Sequence, residues 1–207
     1  MKFRFLALLP ILALTGCATR YMSPAEPARP ADGKAVITFY RKTVLDADFT
    51  QAPIVEKTRD SIKLVGISST GTKIQHEVTP GEHTFAVGGE SGHFLKATVE
   101  AGKSYYVHVA ARMGFWKVRY KLLAQKGEDI SAAADNSLTI KTVRNNDSAA
   151  LWFRNHKESL EGKYAHAAAS YARKPEAPFT LEPEDGILIS EDPNFKKQPA
   201  AELAGNK

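Results

Sequence analysis

The sequence predicts a mainly β protein: an antiparallel β-sandwich followed by a C-terminal amphipathic helix. Three observations carry this. From Ala35 to about Gln125, apolar and polar residues alternate in short runs. Glycine- and proline-containing turns separate those runs at close intervals. After Asp147 the apolar residues recur at steps of three and four instead of two.

The strands follow in order. Ala35–Arg41 (AVITFYR) is rich in β-branched and aromatic residues. Ile62–Ile67 and Lys73–Val78 flank Ser68-Ser69-Thr70-Gly71, which reads as a hairpin turn. His83–Val87 follows Thr79-Pro80-Gly81-Glu82, where proline then glycine suits the centre of a type II turn. That turn is expected to set the hairpin register between the strand ending at Val78 and the one starting at His83. In Phe94–Val99, Leu95, Ala97 and Val99 share a face. Glu100-Ala101-Gly102-Lys103 is a further tight turn. Ser104–Ala111 and Trp116–Leu122 (WKVRYKL) complete the domain, assigned to residues 35–125.

Residues 126–190 form a C-terminal extension. Its helix, about 149–172, is capped by Asp147 or Ser148 and carries Phe153, His156, Leu160, Tyr164, Ala167 and Tyr171 on one stripe. Gly162 is a place where it could break. The tail from 191 to 207 is polar and expected to be disordered.

The N-terminus addresses the chain. Lys2 and Arg4 precede an apolar run from Phe5 to Leu14, the layout of a secretory signal peptide over residues 1–16. Leu14-Thr15-Gly16-Cys17 resembles the lipobox of bacterial lipoproteins. The resemblance implies that Cys17 is acylated and becomes the mature N-terminus. Neither Ala18 nor Thr19 resembles the aspartate of an inner-membrane retention signal, so the outer membrane, facing the periplasm, is the implied location. Cys17 is the only cysteine. Once acylated it leaves no thiol for a disulfide or a nucleophile. Residues 17–34, with Pro24, Pro27 and Pro30, read as an extended tether. The formal charge is +5, and cleavage would remove Lys2 and Arg4. The remainder is too weakly basic to argue for nucleic acid.

ITFYR (Ile37–Arg41), PGEHTF (Pro80–Phe85) and EAGKSYYV (Glu100–Val107) resemble a domain of unknown function found in many bacterial lipoproteins. PGEHTF is also similar to PEGA-type surface domains and to small prealbumin-like sandwiches. The resemblance covers roughly residues 35–111. It implies a prealbumin- or Ig-like sandwich on a lipid anchor, brings no catalytic residues with it and leaves the activity open; no cofactor is expected.

Several segments imitate chemical motifs. GISSTGTK (Gly66–Lys73) nearly spells a phosphate loop, but Thr72 stands where the lysine must be. In GGESGH (Gly88–His93), His93 occupies the position of the second glycine of a nucleophile elbow. His83 and His93 could meet across a hairpin with Glu82 or Glu90 as a zinc site, although three ligands are not identified. Alternatively, His83 is a turn-flanking residue bonded to backbone. Lys117, Arg119 and Lys121 line one side of WKVRYKL, with Arg112 close upstream, either as a contact for an anionic envelope surface or as a solvated face. Phe153, Leu160 and Tyr164 either pack on the sandwich or bind a partner. The expected role is non-catalytic binding or scaffolding at the envelope, with an envelope protein or anionic polymer as partner. The alternative is a small hydrolase or metal-dependent enzyme built on His83, Glu90, Ser91 and His93.

Overall fold

The computed structural model describes residues 20–43, 50–88, 92–113, 118–172 and 179–196. The signal segment, Cys17, Glu90, Ser91, Trp116, Lys117 and the chain beyond 196 lie outside these residues. The strands are β1 (Met22–Pro24), β2 (Ala35–Arg41), β3 (Ala52–Lys57), β4 (Ile62–Ser68), β5 (Thr72–Val78), β6 (Gly81–Val87), β7 (His93–Val99), β8 (Lys103–Met113), β9 (Val118–Ala124), β10 (Lys141–Asn145), β11 (Phe179–Leu181) and β12 (Ile187–Leu188). The helices are α1 (Glu128–Ser137), α2 (Asp147–Ala172) and the single turn α3 (Pro193–Lys196).

The protein is mainly β. Sheet 1 runs β1-β10-β5-β2-β8-β12, with β9 also beside β8, and sheet 2 runs β11-β7-β6-β3-β4. Their inner faces share one core. Ile37, Phe39 and Val107 from sheet 1 meet Ile54, Phe85 and Leu95 from sheet 2. The Phe39 and Phe85 rings sit edge-on at 5.2 Å.

Both outer faces are covered as well. On sheet 1, Tyr40 and Tyr106 pack under Ile130, Ala133 and Ala134 of α1, and Val36 packs under Ile189 and Phe195. This cover is why every residue of β2 is buried. On sheet 2, Val55, Ala86 and Phe94 receive Leu160 and Tyr164 of α2.

The sheets are mixed, not purely antiparallel. β2 and β8 pair in parallel, as do β10 and β5 and β11 and β7. Period-two alternation reports which face a residue takes and nothing about strand direction. β8 returns beside β2 only after the chain has crossed to sheet 2 and back.

Two expected hairpins are corrected for the same reason. β4 lies in sheet 2 and β5 in sheet 1, so Ser68–Gly71 is a crossing between sheets. Pro80-Gly81 likewise joins β5 of sheet 1 to β6 of sheet 2 and sets no hairpin register. Gly81 has φ 127°, well beyond the type II value of about 80°. Turn residues report that the chain reverses, and packing decides which sheet it enters. Gly88–Gly92, by contrast, does join paired strands, with Val87 opposite His93.

The domain boundaries also shift. The expected tether is partly folded: Met22–Pro24 pairs with β10, and Met22 is buried in the core. Residues 126–190 are no appendage, since they supply strands to both sheets. Asn194 and Phe195 are buried, so order reaches into the expected disordered tail. α2 continues through Gly162 without a break.

Candidate functional site

Several polar constellations stand out, and the first bridges the sheets. Glu56 lies on β3 and His83 on β6, both in sheet 2, while His76 lies on β5 of sheet 1. Glu56 Oε1 is 2.6 Å from His83 Nδ1, and Oε2 is 3.3 Å from His76 Nε2. His83 Nε2 lies 2.8 Å from the Thr79 carbonyl. His83 also stacks on Phe85, and His76 meets the same ring edge-on. The hydrogen bond from His76, joined by that from His83, pulls the Glu56 carboxyl down to about 2 against the opposing effect of burial. The bond to Thr79 matches the simpler expectation for His83. The carboxylate partner was not visible in the sequence, because Glu56 sits on a strand whose apolar signal is only Ile54-Val55 behind a proline.

His83 and His93 do not meet. In the β6–β7 ladder His83 faces Ala97 and His93 faces Val87, a separation of about 13 Å along the strands. His93 is buried, and its Nδ1 accepts a hydrogen bond from the Leu122 backbone N–H at 3.1 Å. Burial, with help from the Lys121 charge, pushes its pKa down to about 4. Glu90 and Ser91 lie outside the described residues. Among the described residues no group of three or more histidines, cysteines or acids is placed to hold a metal ion.

The second constellation lies under α1 and α3. Lys73 Nζ donates to Asn194 Oδ1 at 2.6 Å and to the Ser137 carbonyl at 2.8 Å. Tyr106 donates its hydroxyl hydrogen to Asp192 Oδ2 at 2.7 Å. Asn194 Nδ2 donates to the Tyr106 oxygen at 2.8 Å and to Ser137 Oγ at 2.9 Å. All five residues are buried. Burial lowers the Lys73 pKa to about 8, although Asp192 pulls the other way. Burial and then Asp192 raise that of Tyr106. A buried charge needs such partners, and here they fasten the C-terminal segment to sheet 1. The lysine of the imitation phosphate loop therefore serves as a fastener.

The basic stripe lies on the outward side of a two-stranded arm, β8–β9, whose inward side, with Val109, Tyr120 and Leu122, belongs to the core. β8 extends past its pairing with β2, which ends at His108, and continues with β9 alone. Arg112 faces Arg119 across this arm. Arg112, Arg119 and Lys121 are exposed, while Tyr120 and Leu122 are buried. Lys117 lies outside the described residues.

On α2, Leu160 and Tyr164 belong to the protein's own core and Phe153 is packed against them. The partner-contact alternative is thereby corrected for these residues. His156 is exposed rather than buried on the stripe, stacked on Trp152 at 4.7 Å. The N-terminal corner completes the inventory. Tyr21 packs against Trp152 at 6.0 Å, and the Arg20 guanidinium lies 5.4 Å above the Tyr21 ring.

No protein-family model matches the chain, and no curated protein matches it.

Proposed function

We propose that this protein is a lipid-anchored lipoprotein of the bacterial envelope, held in the outer membrane and facing the periplasm, with a non-catalytic binding or scaffolding role. The observation that carries the reading is Cys17 directly after Leu14-Thr15-Gly16, behind a cationic start and an apolar run. The stretches Ile37–Arg41, Pro80–Phe85 and Glu100–Val107 resemble the lipoprotein-associated domain of unknown function. Binding is favoured over catalysis by the work its histidines do. His76 ties the two sheets together through Glu56, His83 holds the same carboxylate from within sheet 2, and His93 holds a backbone N–H of β9.

The proposed contact for an anionic envelope polymer is the β8–β9 arm. β1 begins beside the end of β10, and β10 runs antiparallel to β8 because it is parallel to β5, which is antiparallel to β2. The arm therefore projects from the end of sheet 1 opposite the one where the anchor enters. Arginines and lysines there would meet polymer anions away from the bilayer.

Expression of the full chain and its Cys17→Ser variant tests the anchor. The parent is expected in the membrane fraction with an acyl mass on Cys17, the variant without it. An acylated, membrane-bound Cys17→Ser protein would overturn the reading.

A further inference from the structure

We infer that the corner built from Arg20, Tyr21, Leu151 and Trp152 rests on the headgroup layer of the bilayer that holds Cys17. The inference rests on the anchor reading and adds the orientation of the body. The leash is short. From Cys17 to Arg20 the chain spans three residues, at most about 11 Å when fully extended. Arg20 is already fastened to the fold. Asn146 Nδ2 donates to the Arg20 carbonyl at 3.4 Å, and the Asn146 backbone N–H donates to the Tyr21 carbonyl at 3.2 Å. Two residues on, Met22 is in the core. An acylated Cys17 therefore cannot let the body swing free, and the surface around Arg20 must lie at the membrane.

The chemistry of that surface suits a headgroup layer. Three large hydrophobic side chains stand out as exposed among the described residues, Leu138, Leu151 and Leu188. Leu138 follows α1 and Leu188 is on β12, both on the sheet 1 side. Leu151 lies in the second turn of α2, the helix whose first residues adjoin Tyr21 through Asn146. Beside it the half-buried Tyr21 and Trp152 form an aromatic pair. Tyrosine and tryptophan suit the level where one end of a ring is apolar and the other wet. Arg20, Arg144 and Arg154 are exposed on or beside these elements, against the exposed acids Asp147 and Glu158, and this slight excess of cations favours an anionic lipid surface. A lone leucine and two aromatic rings would bind lipid weakly in free solution. The anchor changes this by raising the effective concentration of the bilayer.

Intrinsic fluorescence reads the contact. The chain holds two tryptophans, so Trp116→Phe leaves Trp152 as sole reporter. The full chain with this change is purified from membranes and its mass measured. It is then reconstituted into vesicles of phosphatidylethanolamine and phosphatidylglycerol, with or without phosphatidylcholine brominated near the headgroup. Trp152 emission is expected to fall in the brominated vesicles, and Leu151→Asp should weaken that quenching without moving the urea midpoint. An acylated, vesicle-bound protein whose Trp152 is not quenched would overturn the orientation while leaving the anchor intact. A purified protein with no acyl mass on Cys17 would overturn the anchor, and this inference with it. Trp152 shielded from bromine by a second copy, seen as an oxidised disulfide dimer of a Leu151→Cys variant, would assign the corner to self-association and overturn the proposal.

Discussion

Lys73 Nζ lies 2.6 Å from Asn194 Oδ1, a bond between side chains 121 residues apart that closes the C-terminal segment onto the outer face of sheet 1. Both residues are buried, so neither can lose its partner to water. Asn194→Ala should leave Lys73 and Tyr106 short of partners and destabilise the fold by about 2–4 kcal/mol. Lys73→Met combined with Asn194→Leu should recover part of that loss, because removing both polar groups removes the desolvation penalty. A double-mutant cycle from urea midpoints measures the coupling. Independent, additive effects would mean that the fastener contributes nothing.

Acid should weaken the protein in two steps. His93 has a folded pKa near 4, below its ordinary 6.5. The unfolded chain therefore binds more protons between these values, and stability falls as pH drops from about 6.5 to 4. Glu56 has a folded pKa near 2 against an ordinary 4.5. Its contribution is complete above 4.5 and lost as pH falls toward 2. His93→Gln should flatten the upper window and Glu56→Gln the lower one. Urea midpoints across pH 2–7 check both, and identical profiles for parent and variants would contradict the assignment.

Gly81→Val should destabilise by about 1–3 kcal/mol. Gly81 stands at φ 127° in the crossing from sheet 1 to sheet 2, and a Cβ there would meet nothing within 4 Å, so the cost is entirely conformational. Gly162→Ala is the opposite case. Gly162 is exposed in the middle of α2 with open space around its Cβ position, and alanine should stabilise by about 0.5–1 kcal/mol. Thermal melts of the two variants should move in opposite directions.

Leu160→Asp should lower the melting temperature sharply. Leu160 is 6% exposed and packs with Val55, Ala86 and Phe94. The change removes about 2–5 kcal/mol of apolar packing and buries a carboxylate among the apolar side chains beneath α2. An unchanged melt would show that α2 does not hold the outer face of sheet 2.

Elements with strong periodicity were legible in the sequence. β2, β7, β8 and α2 stand close to where alternation or helical spacing put them. α1 was not, for a physical reason. Its buried stripe is Ile130, Ala133, Ala134 and Ser137, correctly spaced but made mostly of residues too small to give hydrophobic contrast. β1, β11 and β12 have two or three residues each, too few to display a period. They are strands because a neighbour's free edge completes their hydrogen bonds. The polar fasteners were hidden by distance. Glu56, His76 and His83 come from three strands, and Lys73, Tyr106 and Asn194 from two strands and the C-terminal turn.

By itself the sequence determined the local conformations and the faces: which stretches alternate, where the chain must turn, and that Leu160 and Tyr164 need cover. These follow from side-chain spacing and backbone sterics acting over a few residues. Tertiary structure alone decided which turns cross between sheets, that β2 and β8 run parallel, and that Lys73 fastens the C-terminal segment. Those outcomes depend on how apolar faces and buried polar groups find partners far along the chain. Burial selects such pairings only once the whole core has formed.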